Sequence, residues 1–171
     1  MKRIVLTGAE SSGKSTLTEQ LSQWLDLPFA SEYARVYLTQ HGPDYDLEEL
    51  IRLSVLHQHY QQLQVPPTLP LGIFDTDLIN YKIWTEVVFG QCPKLIADAL
   101  AEETSHVYLL CKPDIPWAAD PLREHPRADD RHRLFQRHLT EIQRLNRPYE
   151  IIDGIGHQRL INAKAALKRL L

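Results

Sequence analysis

The sequence predicts an α/β fold in which helices cover both faces of a five-stranded parallel sheet, with a lid loop over one edge. Short apolar runs alternate with longer amphipathic segments along the 171 residues. This alternation is typical of parallel strands joined by right-handed helical crossovers. A glycine-rich loop follows the first apolar run directly, at the end of the strand where such folds bind ligands. We expect a single domain spanning residues 1–171.

Five short apolar segments are the predicted strands. Each is bounded by polar or turn-forming residues and is short for a helix. They cover Ile4–Leu6, Phe29–Ser31, Leu71–Phe74, His106–Cys111 and Tyr149–Asp153. Because parallel strands end at the same edge of a sheet, the loops after these segments should form one ligand-binding rim.

Longer segments with helical apolar spacing connect the strands. Asp46 and Glu49 form a variant of the capping box at one helix start, and Pro93 suits a first helical position. The predicted helices cover residues 15–26, 33–41, 46–63, 78–89, 93–103, 130–146 and 157–171. Residues 112–131 lack apolar periodicity, and we predict a polar surface loop there.

Composition and charge exclude several classes of protein. Apolar residues make up 43% of the chain and charged residues 24%, which is typical of a soluble globular fold. The net charge of −3 gives no reason to expect nucleic acid as a partner. No apolar run approaches the ~18–20 residues of a membrane span. Cys92 and Cys111 stand alone, as reduced thiols of a cytoplasmic protein do.

The loop after the first predicted strand has the spacing of a phosphate-binding loop. Gly8-Ala9-Glu10-Ser11-Ser12-Gly13-Lys14-Ser15 fits the pattern G-x-x-x-x-G-K-[ST], and Thr16 continues into the helix. The glycines let successive N–H groups point at phosphate oxygens, beside the positive end of the helix dipole. Lys14 supplies positive charge for the outer phosphates, and the Ser15 hydroxyl suits Mg²⁺. The loop therefore predicts nucleotide binding.

Two aspartates follow the third predicted strand. Asp75 is the first acidic residue after that strand, where phosphate-loop proteins hold the metal, and we assign it to Mg²⁺. Asp77 lies two residues further on and is a candidate for substrate binding or catalysis. The alternative is that these residues cap the next helix, and Asp77 could do only that.

Residues after the second strand are candidates for the substrate side. Glu32, Tyr33 and Arg35 combine a carboxylate, an aromatic ring and a guanidinium that could engage a hydroxylated ring. The alternative is an ordinary surface start of a helix. Trp84 and Trp117 are further candidates for the walls of an acceptor pocket.

The polar segment 112–131 is a candidate lid. Phosphoryl transfer builds up charge on equatorial oxygens, which the guanidinium groups of a closing loop can stabilise. Arg123, Arg127 and Arg131 are the candidates for this role, and an inert solvated loop is the alternative.

The remaining glycines and histidines carry weaker signals. Gly154 and Gly156 predict a turn into the last helix, and Gly154 is a candidate for lining an adenine pocket. The eight histidines show no metal-binding pattern. His57 and His59 are two residues apart and would face different sides of a helix, so we interpret them as ordinary helix residues.

Four segments in this order resemble one family: the residues from Gly8 to Thr16, Glu32–Arg35, Phe74–Asp77 and Pro116–Arg123. The chain is similar to the ribosylnicotinamide (nicotinamide riboside) kinase domain of NadR-type NAD-biosynthesis proteins. The resemblance runs from Arg3 to the final helix. In bifunctional members a further enzymatic domain precedes the kinase, and some also carry a DNA-binding domain. Because only Lys2 and Arg3 separate Met1 from the first predicted strand here, we expect neither domain.

The resemblance implies a P-loop kinase fold that uses ATP and Mg²⁺ to phosphorylate the 5′-hydroxyl of nicotinamide riboside. Lys14 would hold phosphates, Ser15 and Asp75 would place Mg²⁺, and Asp77 or Glu32 would orient or deprotonate the hydroxyl. Two alternatives stay open. The acceptor could be another nucleoside or metabolite, or the protein could be an ATP-binding sensor that transfers nothing.

Overall fold

A computed structural model describes residues 1–171 and contains the predicted parallel sheet. The strands are β1 (Lys2–Thr7), β2 (Phe29–Ala30), β3 (Leu71–Asp75), β4 (His106–Cys111) and β5 (Tyr149–Ile152). All pair in parallel, in the order β2-β3-β1-β4-β5, with Ile4 beside both Ile73 and Val107. β1, which leads into the phosphate loop, is therefore the central strand, and β2, the next strand along the chain, lies at the edge of the sheet. Both neighbours of β1 end at the same edge as the phosphate loop.

Six helices connect the strands and a seventh follows β5, as the apolar spacing predicts. They are α1 (Lys14–Leu25), α2 (Tyr33–His41), α3 (Leu47–Gln64), α4 (Leu78–Phe89), α5 (Lys94–Glu102), α6 (Ala128–Arg144) and α7 (His157–Leu170). Asp46 caps α3 by accepting a hydrogen bond from the Glu49 amide at 2.8 Å, which confirms the predicted cap. Pro93 lies at the N-cap of α5 rather than inside it. None of the seven helices combines the length and apolarity that crossing a membrane requires.

Strand alternation divides the core between the two faces of the sheet. Val5, Phe74 and Tyr108 face the cluster that α3, α4, α5 and α6 cover. Ile4 and Leu109 face the opposite cluster, which α1 and α7 cover. All these strand side chains are at most 2% exposed. The burial of β1 and its neighbours on both faces fixes the edge of the sheet from which the phosphate loop projects.

Candidate active site

The phosphate loop, residues 8–13, connects β1 to α1 and has glycine at both of its sharp turns. Gly8 has a φ of 132° and Gly13 a φ of 75°, in the region that favours glycine. A Cβ at Gly8 would lie 2.6 Å from the carbonyl oxygen of Cys111. A Cβ at Gly13 would lie 2.7 Å from Cδ1 of Ile115. Larger residues would therefore push the loop away from the end of β4 and from the segment that follows it.

Lys14 begins α1 and folds back over the phosphate loop. Its ammonium group donates to the carbonyl oxygens of Gly8 at 3.0 Å and Ala9 at 2.9 Å. This places a positive charge on the concave side of the loop, next to the N-terminus of α1. Phosphate oxygens are the ligands that this combination of ammonium, amide groups and helix dipole favours.

Ser15 and Asp75 form a pair of oxygen ligands beside the loop. The Ser15 hydroxyl donates to Oδ2 of Asp75 at 2.5 Å, while Oδ1 of Asp75 is buried and has no hydrogen-bond partner. Burial, together with the negative charge of Glu32, raises the pKa of Asp75 to about 6. A divalent cation would satisfy the unpartnered oxygen and offset the burial of the charge. The pair therefore fits Mg²⁺, which prefers oxygen ligands.

One cavity of about 440 Å³ joins the phosphate loop to the predicted substrate side. Residues 8–16 form one wall, which includes all the predicted phosphate-binding residues. Glu32 and Arg35 come from the start of α2, and Asn80 and Trp84 come from α4. The structure therefore brings Glu32, Arg35 and Trp84 together at the loop, as the sequence predicts.

An aromatic pair forms part of the cavity lining. The indole N–H of Trp84 donates to the Tyr45 hydroxyl at 2.8 Å, and the two rings meet edge to face at 4.9 Å. Tyr45 precedes α3 and also lines the cavity. The sequence offers no signal for this residue, because nothing in the segment between α2 and α3 shows where its side chain points.

Residues 112–127 form the lid, since the last four residues of the predicted loop belong to α6. The lid lies against the phosphate loop. Glu10 accepts hydrogen bonds from the Glu124 amide at 3.0 Å, and it pairs with the His125 ring at 2.5 Å. Asp120 pairs with Arg35 at 2.9 Å, across the cavity opening. Arg123 lines the cavity and is the one predicted lid arginine that does so.

The other predicted lid residues, Trp117, Arg127 and Arg131, lie outside the cavity lining, contrary to the prediction. Arg127 is exposed at the N-cap of α6. Arg131 is 6% exposed and donates to the carbonyl of Ile115 in the lid, so it fixes the lid and does not line the cavity. The ring of Trp117 lies beneath the guanidinium groups of Arg123 and Arg131, 5.8 and 5.5 Å from their central carbons, and outside the cavity lining. The Ile115 carbonyl and the Trp117 ring draw the Arg131 side chain inward, and the polar composition of the segment gives no sign of this.

Asp77 is the largest correction to the predicted site. Its side chain is 1% exposed, lies outside the cavity lining and caps α4 by accepting from the Ile79 amide at 3.1 Å. The Tyr108 hydroxyl donates to Oδ2 of Asp77 at 2.5 Å, and Nδ1 of His106 lies 3.4 Å from the same oxygen. Burial opposes ionisation, but these partners prevail and lower the pKa of Asp77. The capping alternative is therefore confirmed, and the acceptor role is not supported.

Two further predicted residues also lie outside the main cavity. Tyr33 packs against the rings of Tyr37 and Tyr60, at 6.3 and 5.2 Å between centroids. Gly154 uses its carbonyl to accept a hydrogen bond from Arg159 at 2.6 Å, in the turn between β5 and α7. At the start of α2, Glu32 and Arg35 face the cavity, whereas the Tyr33 side chain between them faces away from it.

Sequence reasoning missed groups that the fold brings together from distant segments. His138 of α6 lines the cavity and pairs with the Thr7 hydroxyl at 3.0 Å, and burial lowers its pKa to about 3. Asp77, His106 and Glu103 converge within 4.8 Å on the buried side of α4. No spacing in the sequence indicates either grouping, because each joins segments separated by whole helices.

The chain has relatives of known role over most of its length. The trifunctional NAD biosynthesis/regulator protein NadR of Salmonella typhimurium is 27% identical over 150 residues, which are 85% of this chain and 36% of that protein. NadR of Escherichia coli is also 27% identical, over 146 residues, which are 83% of this chain and 35% of that protein. This chain therefore spans about a third of the length of those relatives.

Solved structures share the fold. A crystal structure of NadR protein in complex with NR has a TM-score of 0.74 at 19% identity, covering 99% of this chain and 51% of that one. Deoxyadenosine kinase from M. mycoides has a TM-score of 0.64 at 15% identity, covering 98% of this chain and 99% of that one. The predicted P-loop kinase fold is thereby confirmed.

A family model covers almost all of the same region. It describes an AAA domain and matches residues 3–159, from β1 into α7. The match includes the phosphate loop, both carboxylates at the end of β3 and the lid. Because it spans most of the chain, this protein belongs to the AAA domain family.

Proposed function

We propose that this protein is an ATP-dependent small-molecule kinase that transfers a phosphoryl group to the 5′-hydroxyl of nicotinamide riboside, giving nicotinamide mononucleotide. The observation that carries the proposal is the single cavity shared by the phosphate loop and the Glu32–Trp84 side. Phosphoryl transfer requires donor and acceptor to lie in line within one enclosed space. The similarity to NadR supports the choice of acceptor.

The phosphate loop would bind the donor. Backbone amides from Glu10 to Ser15 and the Lys14 ammonium would hold the phosphates, and Lys14 would exchange its two loop carbonyls for phosphate oxygens. Ser15 and Asp75 would hold Mg²⁺, directly or through water. When bound, that ion supplies neutralisation of charge on the phosphate oxygens.

Glu32 would orient the acceptor hydroxyl and accept its proton. Three other carboxylates line the cavity, and each is engaged in another contact: Glu10 with His125, Asp120 with Arg35 and Glu124 with Tyr45. Glu32 is therefore the cavity carboxylate best placed for this task. Arg35 stands beside it on the same helix start and would bind the ribose side of the acceptor. General base catalysis of this kind contributes about 10²–10⁴-fold in rate.

The lid would exclude water and bring Arg123 to the transferred group. Its guanidinium now donates to the Ala118 carbonyl within the lid, so it would turn inward when phosphates are present. Tyr45 and Trp84 would supply flat surfaces for an aromatic base where they line the cavity. Carboxylates at Glu32 and Glu124 make this region favourable for a cationic ring.

A second candidate is phosphorylation of another nucleoside. The likeness to deoxyadenosine kinase over nearly the whole of both chains favours it, and none of the cavity side chains described above is specific for a single base. The cytoplasm is the location we propose for either activity, because ATP is abundant there and the two cysteines are unpaired.

The test is an acceptor panel. The purified protein is incubated with MgATP and nicotinamide riboside, deoxyadenosine, other nucleosides and shikimate, and the products are identified by mass. We expect the highest kcat/KM with nicotinamide riboside, and no product with Lys14→Met. Turnover of another acceptor without turnover of nicotinamide riboside would overturn the acceptor and retain the kinase. Nucleotide binding without any transfer across the panel would overturn both.

A further inference from the structure

We infer that Arg159 is a positioning residue that holds the phosphate loop and the β5–α7 turn at a fixed spacing, so that both can contact one nucleotide. This inference rests on the proposed use of ATP. Arg159 lies in the first turn of α7 and is 3% exposed. An arginine so buried needs several acceptors, and the identity of those acceptors indicates its role.

The Arg159 guanidinium connects three loops at the ligand-binding edge of the sheet. Its two terminal nitrogens donate to backbone carbonyls of the phosphate loop, of the segment after β4 and of the turn after β5. The acceptors are Ser12 at 2.8 Å, Lys112 at 2.8 Å and Gly154 at 2.6 Å. Each of these segments follows a different strand, and no backbone hydrogen bond joins the phosphate loop to the turn.

Asp114 fixes the guanidinium and the turn together. One of its carboxylate oxygens accepts from Arg159 at 2.7 Å, and the other accepts from the Gly154 amide at 2.8 Å. Both members of the Arg159–Asp114 pair therefore also form hydrogen bonds with the backbone: Arg159 with three carbonyls, and Asp114 with the Gly154 amide. Charge-assisted hydrogen bonds of this kind are short and strong, and the planar guanidinium holds them in one geometry.

A second cavity shows why the spacing matters. It has a volume of about 240 Å³ and lies between the phosphate loop and the first turn of α7. Its lining includes Ser11, Gly13 and Thr16 from the loop and the start of α1, together with Pro116, Gly156 and Arg159. A nucleotide whose phosphates lie in the loop would extend its nucleoside into this space. Arg159 thus lies between the phosphate loop, which would hold the phosphates, and the β5–α7 turn, which would flank the base.

Gly13 shows how closely Arg159 approaches the loop. A Cβ placed on Gly13 would lie 3.7 Å from Nε of Arg159, and that nitrogen is buried without a partner. Lysine at position 159 keeps the charge but cannot reach carbonyls of three segments at once, because its three donors sit on one nitrogen. The Arg159→Lys substitution therefore keeps the positive charge and removes the hydrogen bonds that connect the three segments.

The test compares a ligand that would contact both the phosphate loop and the β5–α7 turn with one that would contact the loop alone. Binding of MgATP and of magnesium tripolyphosphate is measured by titration calorimetry for wild type, Arg159→Lys, Asp114→Asn and the control Arg169→Lys. Arg169 lies on the same helix and pairs with Glu150 at 2.8 Å, far from the loop. Thermal unfolding of each variant reports whether it is folded.

We expect Arg159→Lys to weaken ATP binding at least 10-fold and tripolyphosphate binding less than 3-fold. Asp114→Asn should weaken ATP binding about 3-fold, and it provides the answer if Arg159→Lys does not fold. In steady-state assays the KM for ATP should rise while the KM for the acceptor stays constant, a split that general loosening of the fold would not give.

Equal losses for ATP and tripolyphosphate, or no loss in a folded Arg159→Lys variant, would overturn the positioning role. Arg169→Lys should match wild type, and a loss of ATP binding in that variant would also contradict the inference. Failure of the wild-type protein to bind ATP would instead overturn the proposed function on which this inference rests.

Discussion

Asp75 and Asp77 are two residues apart and serve different regions of the molecule. Asp75 ends β3 beside the phosphate loop, where it pairs with Ser15 of the cavity lining and keeps one oxygen without a partner. Asp77 begins α4 beneath the cavity floor, where Tyr108 and the Ile79 amide satisfy both of its oxygens. The first carboxylate is free to take a ligand, whereas the second is fully used by the fold.

The backbone between them explains the difference. In an extended strand, residues two apart face the same side, so both aspartates would face the cavity. Thr76 has a φ of 68°, in the left-handed region that non-glycine residues rarely adopt. The chain turns there, and Asp77 points into the core instead. Burial raises the pKa of Asp75 to about 6, whereas the hydrogen-bond partners of Asp77 outweigh its burial and lower its pKa.

The largest expected effect concerns the carboxylate on the cavity side. Glu32→Gln should lower kcat by about 10²–10⁴-fold, because it removes the proposed proton acceptor while keeping the side-chain shape. ATP binding, measured by calorimetry, should stay within twofold of wild type. Glu48→Gln, an exposed change in the first turn of α3, is the matched control. A Glu32→Gln enzyme with wild-type kcat would remove Glu32 from the mechanism.

A different loss is expected on the core side. Asp77→Asn should lower the free energy of unfolding by about 2–3 kcal/mol, because an amide cannot accept from Tyr108 and from the helix start while facing His106 as a carboxylate does. Urea unfolding measures this. The kcat per folded molecule should stay near wild type. A variant as stable as wild type but inactive would return Asp77 to the catalytic site.

These two regions also show what the sequence can predict. The phosphate loop lies within one short segment, and its chemistry depends on backbone amides and local spacing, so Gly8 to Ser15 could be placed from the pattern alone. The strands and helices follow from periodicity in the same way. Asp77 depended on a single turn at Thr76 and on Tyr108 from another strand, and no local pattern encodes that contact. The same holds for Tyr45 and Arg159, whose partners lie far away in sequence.

The pH dependence of stability should have a contribution from each region. Burial lowers the pKa of His57 to about 4 and of His138 to about 3, against about 6.5 in an unfolded chain. Between these values the unfolded state binds more protons, so the free energy of unfolding falls as pH falls, by up to about 1.4 kcal/mol per pH unit for each histidine. Asp75 opposes this below about pH 6, because its raised pKa lets the native state bind a proton first.

Single substitutions separate these contributions. Urea unfolding between pH 7 and pH 5 should show a shallower fall in stability for His57→Gln and for His138→Gln than for wild type. Asp75→Asn should show a steeper fall. His59→Gln, a change at an exposed position two residues from His57 on the same helix, should leave the slope unchanged. Parallel curves for His57→Gln and wild type would contradict the buried neutral histidine.

The smallest expected effect is at the aromatic side of the cavity. Tyr45→Phe keeps the ring but removes the hydroxyl that joins Trp84 to Glu124 of the lid, at 2.8 Å in each case. We expect the KM for the acceptor to rise about 2–10-fold, in line with the loss of one or two ordinary hydrogen bonds. The KM for ATP should stay constant. A change confined to the KM for ATP would place the coupling elsewhere.

Magnesium titration of turnover at saturating ATP is the most direct test of the two roles, Mg²⁺ binding by Asp75 and capping of α4 by Asp77. Asp75→Asn and Asp77→Asn are compared with wild type, with the concentration of folded enzyme determined for each. We expect Asp75→Asn to need at least 10-fold more Mg²⁺ for half-maximal activity, and Asp77→Asn to follow the wild-type curve. A raised magnesium requirement in Asp77→Asn together with a wild-type curve in Asp75→Asn would contradict the account.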